Sequence, residues 1–335
     1  MKSDVPPGFR TRFGARLRIP LIAAPMLRVS GPDLVSAACA AGVVGAFPTA
    51  NARTAEELDS WLATFDRANE ESGGELAPYC PNLIMRAPRL ADDVACLVRR
   101  RVEMVIASVG SPAPIIGPLH DIGAAVFADV GTLRHAEKAV EAGADGLVLL
   151  SAGAGGQTGW MNPFAFIRGV REFFDGTVIL AGGISDGQAL WAAEVAGFDA
   201  AYMGTRFIAS DESSASAPYK DMLVESTMDD VVLTNAFTGL RTNMLAPSIR
   251  AQGLDPDTLN EQISVKESAE LFGPGSSEPG PRRWTDVWSA GHSVSGVKRR
   301  SPLSEVVRET VAEYEDARAR TRSVLEQRRA ANADS

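Results

Sequence analysis

The feature that most constrains the fold of this chain is a series of short, wholly apolar runs that alternate with segments of helix length. Strands that are apolar throughout are typical of a parallel sheet covered on both faces. Eight units of strand and helix, spread over about 200 residues, predict an α/β fold of the (β/α)8 TIM barrel type. The eight runs are Pro20–Ala24, Val43–Phe47, Asn82–Met85, Met104–Ala107, Ala124–Ala128, Gly146–Leu150, Val178–Ala181 and Ala200–Met203.

The main alternative is a doubly wound open sheet. Such a sheet usually carries Gly-x-Gly-x-x-Gly after its first strand, with an acidic residue about 20 positions further on. Here the first strand ends in Ala23–Met26, which lacks that pattern. The glycine-rich strand ends come late, after the sixth, seventh and eighth strands, and barrels build phosphate sites after the last two of these. We therefore expect the barrel.

The rest of the chain adds an insert and a helical extension to this barrel. We expect an FMN-binding barrel core over residues 1–210, an insert on the substrate side over 211–300, and a closing helix over 301–335. Within the last two parts the sequence predicts a helix over 217–225, a hairpin or extended insert over 231–240, a helix over 254–271, an exposed loop over 273–283 and a charged helix over 302–331. Predicted N-caps are Thr54, Thr132 and Asp186, and predicted C-terminal glycines are Gly42, Gly143 and Gly197.

Composition limits the classes of partner. The chain has 33 Lys and Arg against 42 Asp and Glu, a net charge of −9, which argues against nucleic acid and anionic membranes. No run is apolar enough to span a bilayer, and the N-terminus lacks the apolar core of a signal peptide. Cys39, Cys80 and Cys96 lie in apolar surroundings without a nearby His, so we expect buried thiols, a cytoplasmic protein and no metal site.

The late glycines predict a phosphate-binding rim. Gly155 and Gly156 follow the sixth strand, Gly182-Gly183 the seventh, and Gly204-Thr205 the eighth. Glycine lets a ligand touch the backbone, whose N–H groups can hold an anion without a lysine. Pro25, Met26 and the small residues before them could lie against a flat ring, although Met26 could also fill the core. Asn82 could bond a heterocycle edge or cap the next turn.

Taken in order, the motifs resemble the nitronate monooxygenase family, also called 2-nitropropane dioxygenases. The matching segments are Pro20–Met26, Leu34–Gly45, Asn82–Ile84, Gly143–Asp145, Ala154–Gly156, Ala181–Ile184 with Asp186–Gly187, Met203–Phe207 and Trp288–Gly291. The resemblance implies an FMN-dependent oxidoreductase, with FMN at the carboxyl ends of the barrel strands. The cofactor-binding residues that it implies are Pro25, Met26, Asn82, Gly155, Gly156, Gly182, Gly183, Met203, Gly204 and Thr205.

One departure from the family pattern concerns the catalytic residue. The family commonly has Ala-Gly-Gly-His, whose His serves beside the flavin as a base or hydrogen-bond donor, and this chain has Gln157 there. An amide orients a substrate oxygen but takes no proton near pH 7. Alkyl nitronates are already anions and need no base, whereas neutral nitroalkanes do. His292 stands where the family usually has Gln, so it is either a replacement base or a structural residue.

Other polar residues are weaker candidates. We expect Tyr202 and Asp145 to pack in the core or to fix a loop. His120 and His135 are expected on the outer helices. Arg241 and Asn243 either reach the substrate or lie in a solvated loop.

Three functions follow from these features. The first is oxidation of alkyl nitronates, or a similar small anionic substrate, with O2. The second is NAD(P)H-dependent reduction of a quinone or an enoyl double bond, which Gln157 suits better. The third, an isomerase or an inosinate-dehydrogenase-like barrel, lacks a Cys after the sixth strand and a Lys on the sixth or seventh strand. The expected partners are small molecules, and the long C-terminal helix is compatible with a homodimer.

Overall fold

A closed barrel of eight parallel strands is the centre of the molecule. The computed structural model describes residues 8–333, so residues 1–7 and 334–335 of the predicted domain ranges lie outside it. The strands of the described chain are β1 (Leu21–Ala23), β2 (Val44–Pro48), β3 (Tyr79–Ile84), β4 (Met104–Ser108), β5 (Ala125–Val130), β6 (Gly146–Leu150), β7 (Gly156–Gln157), β8 (Thr177–Ala181), β9 (Ala200–Met203), β10 (Val231–Thr234) and β11 (Thr242–Leu245). The barrel order is β1-β2-β3-β4-β5-β6-β8-β9, and β9 closes it by pairing with β1, where Ile22 lies opposite Tyr202. The prediction of a (β/α)8 TIM barrel is confirmed.

Helices surround the barrel, close its N-terminal end and form part of the insert. They are α1 (Phe9–Phe13), α2 (Pro32–Ala40), α3 (Ala55–Glu71), α4 (Leu90–Arg99), α5 (Ala113–His120), α6 (Leu133–Glu141), α7 (Pro163–Val170), α8 (Gly187–Ala196), α9 (Thr205–Ile208), α10 (Ala217–Glu225), α11 (Ala246–Ala251), α12 (Val265–Phe272) and α13 (Leu303–Ala333). The predicted caps are confirmed: Thr54, Thr132 and Asp186 accept backbone N–H bonds at helix starts, and Gly42, Gly143 and Gly197 follow helices with positive φ. Between residues 8 and 333 no helix has the length and apolarity needed to cross a membrane.

The barrel interior is apolar at its N-terminal end and is closed there by α1. Phe9 and Phe13 of this helix are both buried in the interior cluster of side chains. The ring of Phe9 meets Phe127 of β5 edge-on at 6.4 Å between centroids, and its N–H donates to Thr177 Oγ1. The N-terminal end of the barrel is therefore plugged, and the open end is the one where the strands finish.

Some elements differ from the sequence predictions. The third strand begins at Tyr79, three residues before the predicted start, and includes Pro81. The helix predicted over 254–271 is wrong in its first half, which holds a single 3-10 turn at Pro256–Thr258. The helix α12 begins only after Ser264, where a capping box with Glu267 satisfies the first N–H groups.

The predicted hairpin exists as β10 and β11, and these strands pair antiparallel with Thr234 opposite Thr242. Its other edge takes up the two-residue strand β7, which the sequence did not predict. Since β7 belongs to the glycine loop after β6, this small sheet joins the insert to the mouth of the barrel.

The long C-terminal helix α13 packs against the barrel helix α8. A Cβ atom at Gly187 of α8 would collide with the backbone of Thr310 and Tyr314, so the two helices meet where only glycine fits. Trp191 Nε1 donates to Thr321 Oγ1 at 2.9 Å in the same contact. Arg206 of α9 donates to Glu309 Oε2 at 2.7 Å and so ties the short helix after β9 to α13.

Candidate active site

The loops after β6, β8 and β9 meet at the open end of the barrel. A Cβ atom on Gly182 would lie 2.7 Å from Ser151 Oγ, so the loop after β8 touches the loop after β6. Gly291 N–H donates to Thr205 Oγ1 at 3.0 Å, and His292 N–H donates to Gly153 O at 2.9 Å. The segment 288–292 therefore bridges the loops after β6 and β9, and all three loops surround one mouth.

Four glycines in these loops have the left-handed backbone that side chains avoid, namely Gly153, Gly156, Gly182 and Gly183. Gly156 has φ of 71° and Gly183 has φ of 78°, and a Cβ atom on either would meet nothing within 4 Å. Gly155 differs, because a Cβ atom there would lie 2.8 Å from Gly291 N. Gly155 thus allows the 288–292 segment to approach, while Gly156 and Gly183 leave open space in front of their backbone.

The N-terminus of α8 already has anionic partners. Asp186 Oδ1 accepts the N–H of Ala189 at 2.7 Å, and Glu313 Oε2 of α13 accepts the N–H of Gly187 at 2.9 Å. These two carboxylates take the positions that an external anion would use at this helix. The short helix α9, which begins at Thr205 directly after β9, has no such carboxylate in its first turn.

The first strand meets the last one at the rim. A Cβ atom on Gly204 would lie 3.5 Å from Ala24 Cβ and 3.6 Å from Met26 Sδ. The backbone of Met26 is fixed, since its N–H donates to Ser30 Oγ and its carbonyl accepts from Asn51 Nδ2. Half-buried Met26 therefore holds its thioether across from Gly204, with Pro25 just before it.

Met203 lies on the other side of the same strand. Its side chain is fully buried in the apolar shell between the strands and the helices. Only its backbone reaches the rim, where its carbonyl accepts the N–H of Ala24 at 3.0 Å.

Polar side chains gather inside the barrel near its open end. Asn82 of β3 is 4% exposed, its Oδ1 accepts from Ser108 Oγ at 3.1 Å, and its Nδ2 has no hydrogen-bond partner. Asp129 Oδ1 of β5 and the hydroxyl of Tyr202 of β9 are buried without partners too. These are three of the four such side-chain atoms in residues 8–333; the fourth, Asn69 Oδ1, is on an outer helix. The interior is therefore arranged to receive further hydrogen-bonding groups.

Asp129 is the member of this group that sequence reasoning missed. Burial raises the pKa of its carboxyl to about 7. The available signal was a carboxyl directly after the apolar run Ala124–Ala128, but only the observed strand β5 shows that it points inward, like Phe127 two residues earlier.

Gln157 is held by the insert. It lies in β7 opposite Thr242 of β11, and the N–H of Thr158 donates to Arg241 O at 3.1 Å. Asn243 Nδ2 donates to Ala154 O at 2.7 Å from a buried position, so Asn243 fixes the glycine loop, whereas Arg241 is exposed.

His292 packs on Gly153, at the start of the loop that also carries Gln157. A Cβ atom on Gly153 would come within 2.6 Å of His292 Nδ1, so the imidazole packs directly on this glycine. The residue as a whole is exposed to solvent. Both predicted catalytic residues thus border one loop, but neither is enclosed by the barrel.

Asp145, His120 and His135 lie on the outer layer of the barrel. Asp145 Oδ2 accepts the N–H of Val126 at 2.7 Å and lies 2.9 Å from His120 Nε2, which fixes a loop on the outer side. His135 is exposed on α6. Cys39, Cys80 and Cys96 are free and buried, as expected.

Comparison with known proteins agrees with this geometry. The family model described as nitronate monooxygenase matches residues 63–262. A nitronate monooxygenase of Paraburkholderia phytofirmans is 27% identical over 282 residues, covering 71% of this chain and 76% of that protein. A (3aS,4S,5R,7aS)-5-hydroxy-7a-methyl-1-oxo-octahydro-1H-indene-4-carboxyl-CoA dehydrogenase of Mycobacterium tuberculosis is 28% identical over 229 residues, covering 68% of this chain. The chain spans only 62% of the length of that dehydrogenase.

Solved structures share the whole architecture. FabK from Thermotoga maritima superposes with a TM-score of 0.76 at 23% identity, covering 92% of this chain and 97% of that one. Nitroalkane oxidase from Streptomyces ansochromogenes gives a TM-score of 0.73 at 25% identity, covering 92% and 99%. Because the family model accounts for more than half of the chain, the protein belongs to the nitronate monooxygenase family of oxidoreductase enzymes.

Proposed function

We propose that the protein is an FMN-dependent oxidoreductase that oxidises alkyl nitronates, or a similar small anionic substrate, with O2. The observation that carries this proposal is the meeting of Gly156, Gly183 and Gly204 around one mouth. Three loops from neighbouring strands then offer backbone to a single ligand, which is how barrels hold a phosphate.

The residues at the mouth fit FMN. Open space in front of Gly156 and Gly183 suits a phosphate, and the half-buried thioether of Met26 beside Gly204 can pack against a flat ring. The unpartnered Nδ2 of Asn82 is a donor that a heterocycle carbonyl would satisfy. The residues that would hold the phosphate are Gly155, Gly156, Gly182, Gly183, Gly204 and Thr205, with Pro25, Met26 and Asn82 about the ring and Met203 contributing only its backbone at the rim.

The chain's own residues then have separate tasks. Bound FMN would supply the electron transfer between the substrate and O2. Gln157 is positioned by β11 and its amide can donate to a nitronate oxygen without taking a proton. The 288–292 segment limits access of water from the side of Gly155.

A pair of glycine variants tests the cofactor site. Gly183→Ala places a methyl group where the phosphate is expected, so the Kd for FMN should rise about tenfold or more. Gly74→Ala is the matched control, because Gly74 also has positive φ and open space around its Cβ position, but lies in the loop after α3. Fluorescence titration of the apoprotein with FMN measures both. A protein that stays colourless after FMN is added, or equal effects of the two variants, would contradict the site.

A second candidate is an FMN-dependent reductase that uses NAD(P)H to reduce a quinone or an enoyl double bond. Large apolar side chains are exposed on loops at the open end, including Leu27 after β1, Val109 after β4 and Trp160 after β6, which is 65% exposed. A substrate that is larger and more apolar than an alkyl nitronate would pack against these side chains. The M. tuberculosis relative is named as the dehydrogenase of a bicyclic carboxyl-CoA.

Anaerobic mixing separates the two functions. Flavin absorbance that bleaches only with a propyl nitronate supports nitronate oxidation, whereas rapid bleaching with NADH or NADPH supports the reductase.

A further inference from the structure

Asp129 occupies an inward position near the open end of the barrel. Phe127 and Asp129 point inward on β5, and Asp129 is the nearer of the two to the mouth. The strand then ends beneath the glycine loop, because a Cβ atom on Gly131 would lie 3.7 Å from Gly159 Cα. Asp129 therefore lies below the loop that also carries Gln157.

The carboxyl of Asp129 has no fixed partner. Within residues 8–333 this carboxyl takes part in no hydrogen bond or ion pair, and its Oδ1 is buried. The residue is half-buried as a whole, so solvent reaches part of it. Asp199, at the opposite end of the barrel, shows the usual arrangement, since its carboxylate accepts from Val178 N–H and pairs with Arg171. An unpaired carboxyl in an apolar barrel is costly, and such groups are concentrated at functional sites.

The surroundings leave Asp129 able to exchange protons near neutral pH. Burial raises the pKa of its carboxyl to about 7. The titratable groups that face it are Cys80 on β3 and Tyr202 on β9, and burial raises the pKa of both well above their usual values. Both neighbours are thus uncharged near neutrality, and Asp129 is the group in this interior that changes its charge there.

We propose that Asp129 is the catalytic base that lets this site accept neutral nitroalkanes, a role that rests on the function proposed above. The C–H bond next to the nitro group breaks, its proton passes to a carboxylate oxygen of Asp129, and the electron pair stays on the substrate as the nitronate anion. This step consumes no oxidant. The nitronate formed is the substrate of the proposed oxidation, and Asp129 then loses its proton to water at the mouth.

Other residues at the mouth are less suited to this step. Gln157 has no basic group. His292 is exposed to solvent and packs on Gly153 of the glycine loop. The raised pKa of Tyr202 keeps its hydroxyl protonated.

The test compares two substrates that differ by one proton. With 2-nitropropane, Asp129→Asn should lower kcat/KM about 100-fold or more, while with propyl-2-nitronate it should change kcat/KM less than about threefold. Wild-type kcat/KM for the nitroalkane should rise with pH through about 7, because the carboxylate is the base, and the nitronate profile should lack this limb. Asp121→Asn is the matched control, since Asp121 is an exposed carboxyl at the plugged end of the barrel.

The outcomes of this test separate the role of Asp129 from the proposed function of the protein. If Asp129→Asn lowers turnover of both substrates equally, or if the wild type oxidises only the nitronate, the role of Asp129 is wrong while the proposed function stands. If the wild type oxidises neither, the proposed function fails, and NMR of 2-nitropropane in D2O then reads the proton step directly. Exchange of the C–H proton with solvent in the wild type but not in Asp129→Asn supports Asp129 as the base. Absence of exchange in the wild type contradicts that role.

Discussion

At the scale of single residues, the direction of a side chain in its strand decides what it can do. Tyr202 and Met203 are neighbours, but the first faces the barrel interior and the second the outer shell. The glycines of the mouth could be predicted from the sequence, because positive φ and close approach select glycine locally. Asp129 could not, because its inward position depends on the register of β5 with the strands beside it.

The unpaired carboxyl also has a consequence for stability. The pKa of Asp129 is raised to about 7 in the fold from an ordinary value of 3.8, so the folded state binds the proton more tightly. Its contribution to stability is complete below pH 4 and is lost as pH rises through about 7. We expect Asp129→Asn to raise the Tm of the apoprotein by about 2 °C or more at pH 8 and by clearly less at pH 5, where the folded carboxyl is still protonated. Differential scanning fluorimetry measures this, and an equal shift at both pH values would contradict the assignment.

At the scale of elements, locally encoded features were predictable and long-range ones were not. Thr54 caps α3 through the N–H of Glu57, three residues away, and this spacing is visible in the sequence. The strand β7 has two residues and exists because β11, more than 80 residues later, pairs with it. Nothing in the local sequence of Gly156 and Gln157 indicates that partner.

The sheet of β7, β10 and β11 should therefore control the glycine loop. Asn243→Ala removes the donor to Ala154 O and leaves a buried carbonyl unpaired, which costs about 1–3 kcal/mol. We expect the Kd for FMN to rise and hydrogen exchange over residues 153–158 to become faster, with the barrel strands unchanged. Asn260→Ala, at an exposed position, is the control. Unaltered exchange in the glycine loop would show that the sheet does not hold it.

At the scale of the whole molecule, α13 supports the open end of the barrel from behind. It contacts α8 at Gly187, supplies Glu313 to the first turn of that helix, and holds α9 through Arg206 and Glu309. The barrel could be predicted from the order of its apolar runs, since eight covered parallel strands have few other solutions. The docking of α13 could not, because its charged sequence does not specify which face of the barrel it meets.

A glycine comparison tests this support. Gly187→Ala forces a methyl group into the backbone of α13 and should cost about 1–3 kcal/mol of unfolding free energy. Gly117→Ala, within α5 with nothing near its Cβ position, should be neutral or stabilise by up to about 1 kcal/mol. Urea unfolding followed by circular dichroism measures both. If the two variants are equally stable, α13 shifts to accommodate the methyl group without a loss of unfolding free energy.

The plug formed by Phe9 and Phe13 has a consequence for how small molecules reach and leave the barrel interior. The barrel interior is open at one end only, so reactants, products and solvent all enter and leave through the mouth. A bound reactant that fills the mouth therefore also blocks the exit of anything beneath it. Closure of the barrel at its base thus couples entry and exit for any chemistry performed at its rim.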